Sequence, residues 1–117
     1  QLAVRADLEV TVEAPGLPPL PAAVEVAAYR IAQEALTNAA RHSGGTRAVV
    51  RIVPVAGNIA LEVADNGSGN IVARPDGVGL ESMRTRAEEI GGSFELRARP
   101  GAGTTIAVKL PFDEVTA

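Results

Sequence analysis

The chain has 117 residues, of which 46% are hydrophobic and 21% charged, and this is the composition of one folded domain with a hydrophobic core. A net charge of −3 and an aromatic content of 3% argue against a general nucleic-acid or anionic-membrane surface and against base-stacking platforms. The absence of cysteine excludes disulfides and thiolate chemistry, and no apolar run approaches the roughly 18 residues of a membrane span. We expect residues 1–117 to be a single domain from a longer chain, because the sequence starts at Gln1 without a Met.

The first half of the chain predicts a strand, a long helix and a hairpin. Alternating polar and apolar residues in DLEVTVEA (7–14) indicate a half-buried strand, which the proline-rich PGLPPLP ends. Apolar residues at helical spacing predict a helix from Ala22 to about His42. Two β-rich runs at 46–55 and 58–65 are separated by a short connection and indicate a β-hairpin.

The second half predicts a glycine-rich loop, a second helix and two more strands. NGSGNIVARPDGVG (66–79) has no periodicity and is expected to be a loop, whereas LESMRTRAEEIGG (80–92) has helical spacing and a terminating Gly91. Strands are predicted at 93–100 and 103–111 around a PGAG turn. This order predicts an α+β fold, a two-layer α/β sandwich with helices on one face of a mixed, mostly antiparallel sheet.

The end of the long helix, QEALTNAARHS (33–43), carries polar residues at intervals of four. This spacing places Glu34, Asn38 and His42 on one helix face. Such a stripe is most often the solvated side of an amphipathic helix. It can also be a binding face: Asn38 offers a neutral oxygen suited to Mg²⁺, Glu34 could orient a metal-bound water or accept a proton, and Arg41 or His42 could contact phosphate oxygens.

The segment DNGSG (65–69) ends a predicted strand with a carboxylate and continues with two glycines. Asp65 could accept a hydrogen bond from an exocyclic amine such as adenine N6, and Gly67 and Gly69 would let the backbone pass close to a flat ring. Taken alone, the segment is equally well explained as an Asn-Gly turn.

Two further glycine clusters are weak signals by themselves. DGVGLES (76–82) precedes a helix, where free N–H groups favour phosphate, but it lacks the third glycine of a dinucleotide fingerprint and the lysine of a P-loop. Gly77 and Gly79 could therefore belong to a flexible lid or to a plain helix entry. PGAGTT (100–105) alone is typical of a hairpin turn.

In their order and spacing, the four clusters resemble the ATP-binding domain of bacterial two-component sensor histidine kinases. That family belongs to the GHKL superfamily, with gyrase, the large heat-shock chaperone and the mismatch-repair ATPase. QEALTNAARHS resembles the N box, DNGSG the first glycine box, GVGL the second, and GAGTT the closing threonine motif. The resemblance extends from about Asp7 to Pro111. GVGLESMRTRAEEIGG followed by GAGTTIAVKLP is similar to the subfamily that acts on response regulators with a DNA-binding helix-turn-helix output.

The resemblance implies a function and a set of site residues. The domain would bind Mg²⁺ and ATP and donate the γ-phosphoryl group to a histidine on the parent kinase's separate dimerisation domain, for relay to a response-regulator aspartate. Asn38 would be the metal ligand, with Glu34 as the N-box acid, Asp65 reading adenine and Thr104 supporting it through water. The residues implied to contact the nucleotide are Asn38, Arg41, His42, Asp65, Gly67, Gly69, Gly77, Val78, Gly79, Leu80 and Thr104. The domain is expected to be cytoplasmic and to touch neither nucleic acid nor membrane, within a parent that can be membrane-anchored.

Two features depart from the family pattern or limit it. Asn70 stands where the family often has an apolar residue, and the lid from Asn70 to Asp76 is short. The only histidine, His42, lies in the N box, and the resemblance implies that the phosphoacceptor is instead on a separate helical dimerisation domain. Two alternatives stay open at this level: a serine kinase of the anti-sigma-factor type with the same fold, and a degenerate module that binds no nucleotide.

Overall fold

A computed structural model of the chain describes residues 8–69 and 78–112, with the backbone alone at positions 42, 43 and 78. The described residues form a five-stranded sheet covered on one face by two helices. The strands are β1 (Glu9–Glu13), β2 (Arg47–Val55), β3 (Asn58–Asp65), β4 (Ser93–Arg99) and β5 (Gly103–Pro111), and the helices are α1 (Ala22–Asn38) and α2 (Val78–Glu89). The spatial order is β1-β2-β3-β5-β4, with β1 parallel to β2 and the other neighbours antiparallel. The predicted two-layer α/β sandwich with a mixed, mostly antiparallel sheet is therefore confirmed.

The two faces of the sheet differ because side chains alternate along each strand. In β3 and β5 the inward residues are buried, among them Leu61, Val63, Ile106 and Val108. The outer face carries ion pairs between neighbouring strands, such as Arg51 with Glu13 at 3.0 Å. The helices therefore have one apolar face of the sheet on which to pack.

Helix α1 packs on the sheet through small side chains. Its buried residues are Val24, Ala27, Ala28, Ile31, Ala32, Ala35 and Leu36. Helix α2 is anchored by Met83 and Ala87, which are both fully buried. The predicted stop after α2 is confirmed, because Gly91 has a φ of 82° and its N–H donates to the Glu88 carbonyl at 3.0 Å.

The long helix has the predicted extent but not a uniform geometry. The α-helix ends at Asn38 and continues as a π-helical turn over Ala39–Ser43, after which Gly44 leaves the helix with a φ of 72°. A π turn bonds residues five apart, so the helix is wider here than in the α-helical turn that aligns Glu34 with Asn38. The structure describes only the backbone of His42, so the place of its side chain on this stripe stays a prediction. No helix within 8–69 or 78–112 is long and apolar enough to cross a membrane.

Candidate functional site

Asp65 is held by the backbone at the end of β3. Strand alternation puts its side chain on the same sheet face as Leu61 and Val63, where it is half-buried. Its Oδ1 accepts hydrogen bonds from the N–H groups of Gly67, at 2.8 Å, and Thr104, at 3.3 Å. Both hydrogen bonds from described residues end on Oδ1, which leaves Oδ2 for a ligand.

The segment after Asp65 is not an Asn-Gly hairpin turn. Type I′ turns need positive φ at both central residues. Among the described non-glycine residues only Ala56 has a positive φ, and Gly67 is not among the glycines that do. A type I′ Asn-Gly turn therefore does not explain DNGSG.

The loop after β3 interlocks with the β4–β5 turn through two glycines. Gly69 has a φ of 73°, and a Cβ there would overlap the Arg99 carbonyl and lie 2.9 Å from the Gly103 carbonyl oxygen. Gly103, with a φ of 110°, would in turn drive a Cβ into the Asp65 carbonyl. The Gly101 N–H also donates to the Ser68 carbonyl at 2.6 Å. The two backbones are in direct contact, and a glycine at position 69 makes this close approach possible. The predicted place of Gly69 beneath a base stays a prediction.

A second contact joins the first turn of α2 to the polar face of α1. A Cβ at Gly79 would be 2.8 Å from Asn38 Nδ2 and 2.9 Å from Glu34 Oε2. The side chains of Glu34 and Asn38 are half-buried, as is Leu80 on the next residue of α2. The fold therefore brings together the predicted N box and second glycine box, which are 41 residues apart between positions 38 and 79.

For the other predicted site residues, the structure shows fewer contacts or describes only part of the residue. Arg41 is exposed, and for His42 and Val78 the structure describes the backbone alone. Gly77 and the predicted lid lie outside the described residues. Sequence reasoning missed Asn66, whose side chain bonds to the start of β2, since nothing in a single sequence signals which residues a loop amide will meet.

The side chains present suit a metal that brings most of its own ligands. Within the part of the chain that the structure describes, no group of three His, Cys, Asp or Glu side chains could hold a metal ion. The potential metal ligands on this face are the amide oxygen of Asn38 and the carboxylate oxygens of Glu34. Mg²⁺ prefers oxygen and is usually held by one or two protein ligands together with phosphate oxygens and water. The donor set fits Mg²⁺ that arrives with a nucleotide.

The fold and this site define the class as a GHKL-type ATPase domain. Residues 23–114 match the sequence profile described as "Histidine kinase-, DNA gyrase B-, and HSP90-like ATPase", and the chain belongs to this family. It is 38% identical over 97 residues to the sensor protein VraS of Staphylococcus epidermidis. The matched region covers 81% of this chain and 28% of VraS. The chain thus spans little more than a quarter of the length of the curated relatives it matches.

Two solved structures agree with the fold. The blue-light-activated histidine kinase EL346 of Erythrobacter litoralis superposes with a TM-score of 0.76 at 22% identity, covering 94% of this chain and 40% of that one. The ATP-binding domain of PrrB from Mycobacterium tuberculosis has a TM-score of 0.65 at 24% identity, covering 94% and 84%. The predicted histidine kinase ATPase domain is confirmed, and the serine-kinase and degenerate-module alternatives are not favoured.

Proposed function

We propose that the domain binds ATP between Asp65 and the polar face of α1, and that it serves as the catalytic domain of a sensor histidine kinase. In this reaction the bond between the γ-phosphorus and its bridging oxygen breaks, a bond to an imidazole nitrogen of the acceptor histidine forms, and ADP and the imidazole proton leave. The observation that carries the proposal is the Asp65 carboxylate, with Oδ1 held by two backbone N–H groups and Oδ2 left for a ligand.

Asp65 is the proposed adenine-reading residue. A carboxylate oxygen accepts a hydrogen bond from the exocyclic amine of adenine and repels the carbonyl oxygen of guanine or hypoxanthine. Gly67 and Gly69 are proposed to lie beneath the base, and Thr104 to support it through water. The 3.3 Å hydrogen bond from the Thr104 N–H to Asp65 supports the last proposal because it keeps the two residues together.

The polar face of α1 is the proposed phosphate and metal end. Asn38 would ligate Mg²⁺, which neutralises phosphate charge when bound, and Glu34 would orient a water or accept a proton. Arg41 and His42 are proposed to contact phosphate oxygens. The start of α2, with Gly77, Val78, Gly79 and Leu80, would supply lid glycines and backbone N–H groups.

The domain is proposed to act as part of a longer protein. Its partners would be the dimerisation domain that carries the phosphoacceptor histidine and a response regulator, with a helix-turn-helix output as the narrower proposal. The similarity to VraS supports this arrangement. A cytoplasmic place for the domain, in a membrane-anchored parent, belongs to the same proposal.

The deciding experiment replaces Asp65 with Asn. Asp65→Asn keeps an acceptor for the N–H groups of Gly67 and Thr104 but puts a donor where Oδ2 faces the adenine amine. We expect ATP affinity measured by calorimetry to fall about 10- to 100-fold, because hydrogen bonds to charged groups contribute about 1.5–3 kcal/mol. Inosine triphosphate, which lacks the amine, should lose much less.

A matched control lies on the same strand. Glu62→Gln neutralises a half-buried carboxylate on the outer face of β3, and it should leave both nucleotides unaffected. Unchanged ATP binding in a folded Asp65→Asn protein would contradict the proposed role.

A further inference from the structure

The side chain of Asn66 joins the loop after β3 to the start of β2. Its Oδ1 accepts hydrogen bonds from the N–H groups of Thr46 and Arg47, both at 2.9 Å. Its Nδ2 donates to Thr46 Oγ1 at 3.2 Å, and its backbone N–H donates to the Arg47 carbonyl at 3.2 Å. Four hydrogen bonds thus tie this residue to Arg47, the first residue of β2, and to Thr46 immediately before it.

This attachment lies where the regular strand pairing stops. Asp65 is the last residue of β3 and pairs with Ala48. One residue further on, the Asn66 side chain accepts hydrogen bonds from the N–H groups of Thr46 and Arg47. The loop therefore continues along β2 for one more residue although β3 has ended.

Gly45 leaves the space that this arrangement needs. A Cβ at position 45 would lie 2.6 Å from Asn66 Oδ1 and 2.8 Å from the Gly67 nitrogen. No positive φ is required there, so the close approach explains the glycine. Gly45 therefore lies against both Asn66 and Gly67.

Gly67 connects the attachment to Asp65. Its N–H, one residue after Asn66, is the closer of the two donors to Asp65 Oδ1. Moving the peptide at 66–67 would move that donor and leave the Asp65 carboxylate with only the longer hydrogen bond from the Thr104 N–H. Asn66 itself is exposed and has no positive φ, so neither core packing nor turn conformation explains an asparagine here.

We infer that Asn66 is a positioning residue for adenine recognition: through Gly67 it keeps the Asp65 carboxylate oriented with Oδ2 toward the base. The inference rests on the proposed role of Asp65. It assigns Asn66 no contact with the nucleotide.

The test measures base selectivity in the 117-residue chain. The readout is the ratio of the dissociation constants of inosine triphosphate and ATP, which have the same phosphate charge. In Asn66→Ala we expect this ratio to fall about tenfold toward one, because the Gly67 N–H is no longer kept in place to orient the Asp65 carboxylate. Asn66→Asp keeps an acceptor for both N–H groups and lets the Thr46 hydroxyl rotate to donate, so it should keep the ratio within about threefold of the parent.

Two further variants keep the test decisive. Gly45→Ala crowds the same contact and should also lower the ratio, so it provides the test if Asn66→Ala fails to fold. Thr46→Val removes only the hydroxyl partner and should change the ratio less than Asn66→Ala does.

The outcomes separate this inference from the proposed function. An unchanged ratio in folded Asn66→Ala and Gly45→Ala, together with a lowered ratio in Asp65→Asn, would overturn the positioning role alone. An unchanged ratio in Asp65→Asn would overturn the adenine-reading role on which it rests. A lower melting temperature without any change in selectivity would mean that Asn66 is only structural.

Discussion

The two sides of the candidate site are built from different kinds of contact. Around Asp65, backbone meets backbone: Gly69 lies against the Arg99 carbonyl and Gly103 against the Asp65 carbonyl. Around Gly79, the nearest atoms are the ends of the Asn38 and Glu34 side chains, which can rotate. The proposed base-reading side, around Asp65, is therefore expected to be rigid and intolerant of added atoms, whereas the proposed phosphate side, around Gly79, can adjust.

The largest expected effect comes from Gly69→Ala. An alanine there combines a left-handed backbone with an overlap against the Arg99 carbonyl, and these costs are about 1–2 and 1–3 kcal/mol. Urea denaturation should show a loss of about 3 kcal/mol in the free energy of unfolding.

Gly101→Ala is the matched control, because Gly101 has a φ of 81° but no atom within 4 Å of its absent Cβ. It should cost only about 1 kcal/mol, from backbone conformation alone. Equal losses in the two variants would show that close approach does not make this side rigid.

The next effect concerns metal-dependent binding on the α1 side. Asn38→Ala removes a proposed Mg²⁺ ligand, and calorimetry should show about tenfold weaker ATP binding with Mg²⁺ and little change without it. Gln33→Ala, on the same helix and also half-buried, provides the control. Equal losses with and without Mg²⁺ would argue against the ligand role.

A smaller effect is expected from Gly79→Ala. Alanine is favoured over glycine in a helix by about 1 kcal/mol, and the two side chains facing it can move aside. Thermal unfolding should therefore place this variant within about 1 kcal/mol of the parent. A loss as large as that in Gly69→Ala would remove the difference between the two sides.

The smallest effect lies outside both sides, on the outer face of the sheet. Arg97 donates to Glu95 at 2.9 Å, and this hydrogen bond holds the pKa of Glu95 below its ordinary value of 4.5. Because the folded-state pKa is lowered, the pair contributes at pH values above the ordinary pKa and loses its contribution as pH falls through the lowered one. NMR titration should show the Glu95 pKa rising in Arg97→Ala, with ATP binding unchanged. Weaker ATP binding in that variant would mean that the outer face takes part in the site.

Much of the fold was predictable because the buried residues of a strand or a helix recur at regular intervals in the sequence. The alternation around Leu61 and Val63 predicted β3, and the spacing of Met83 and Ala87 predicted α2. The π turn after Asn38 was not predictable from spacing, because Ala39 and Ala40 continue a good α-helical sequence.

The contacts between the candidate site residues were harder to predict than the motifs that named those residues. Glu34, Asn38, Asp65 and Gly79 were named from the sequence, and the structure brings Gly79 onto Glu34 and Asn38. Asn66 was missed because its partners at Thr46 and Arg47 lie 20 and 19 residues away.

By itself, then, the sequence determined the strands, the helices and the order of the four motifs, because hydrophobic period and glycine placement act over a few neighbouring residues. Only the tertiary structure decided that Gly69 and Gly103 interlock two loops, that Gly79 lies on Asn38, and that Asn66 holds the segment beside Asp65. These contacts join segments distant along the chain, and their geometry follows from how the helices and strands pack on one another.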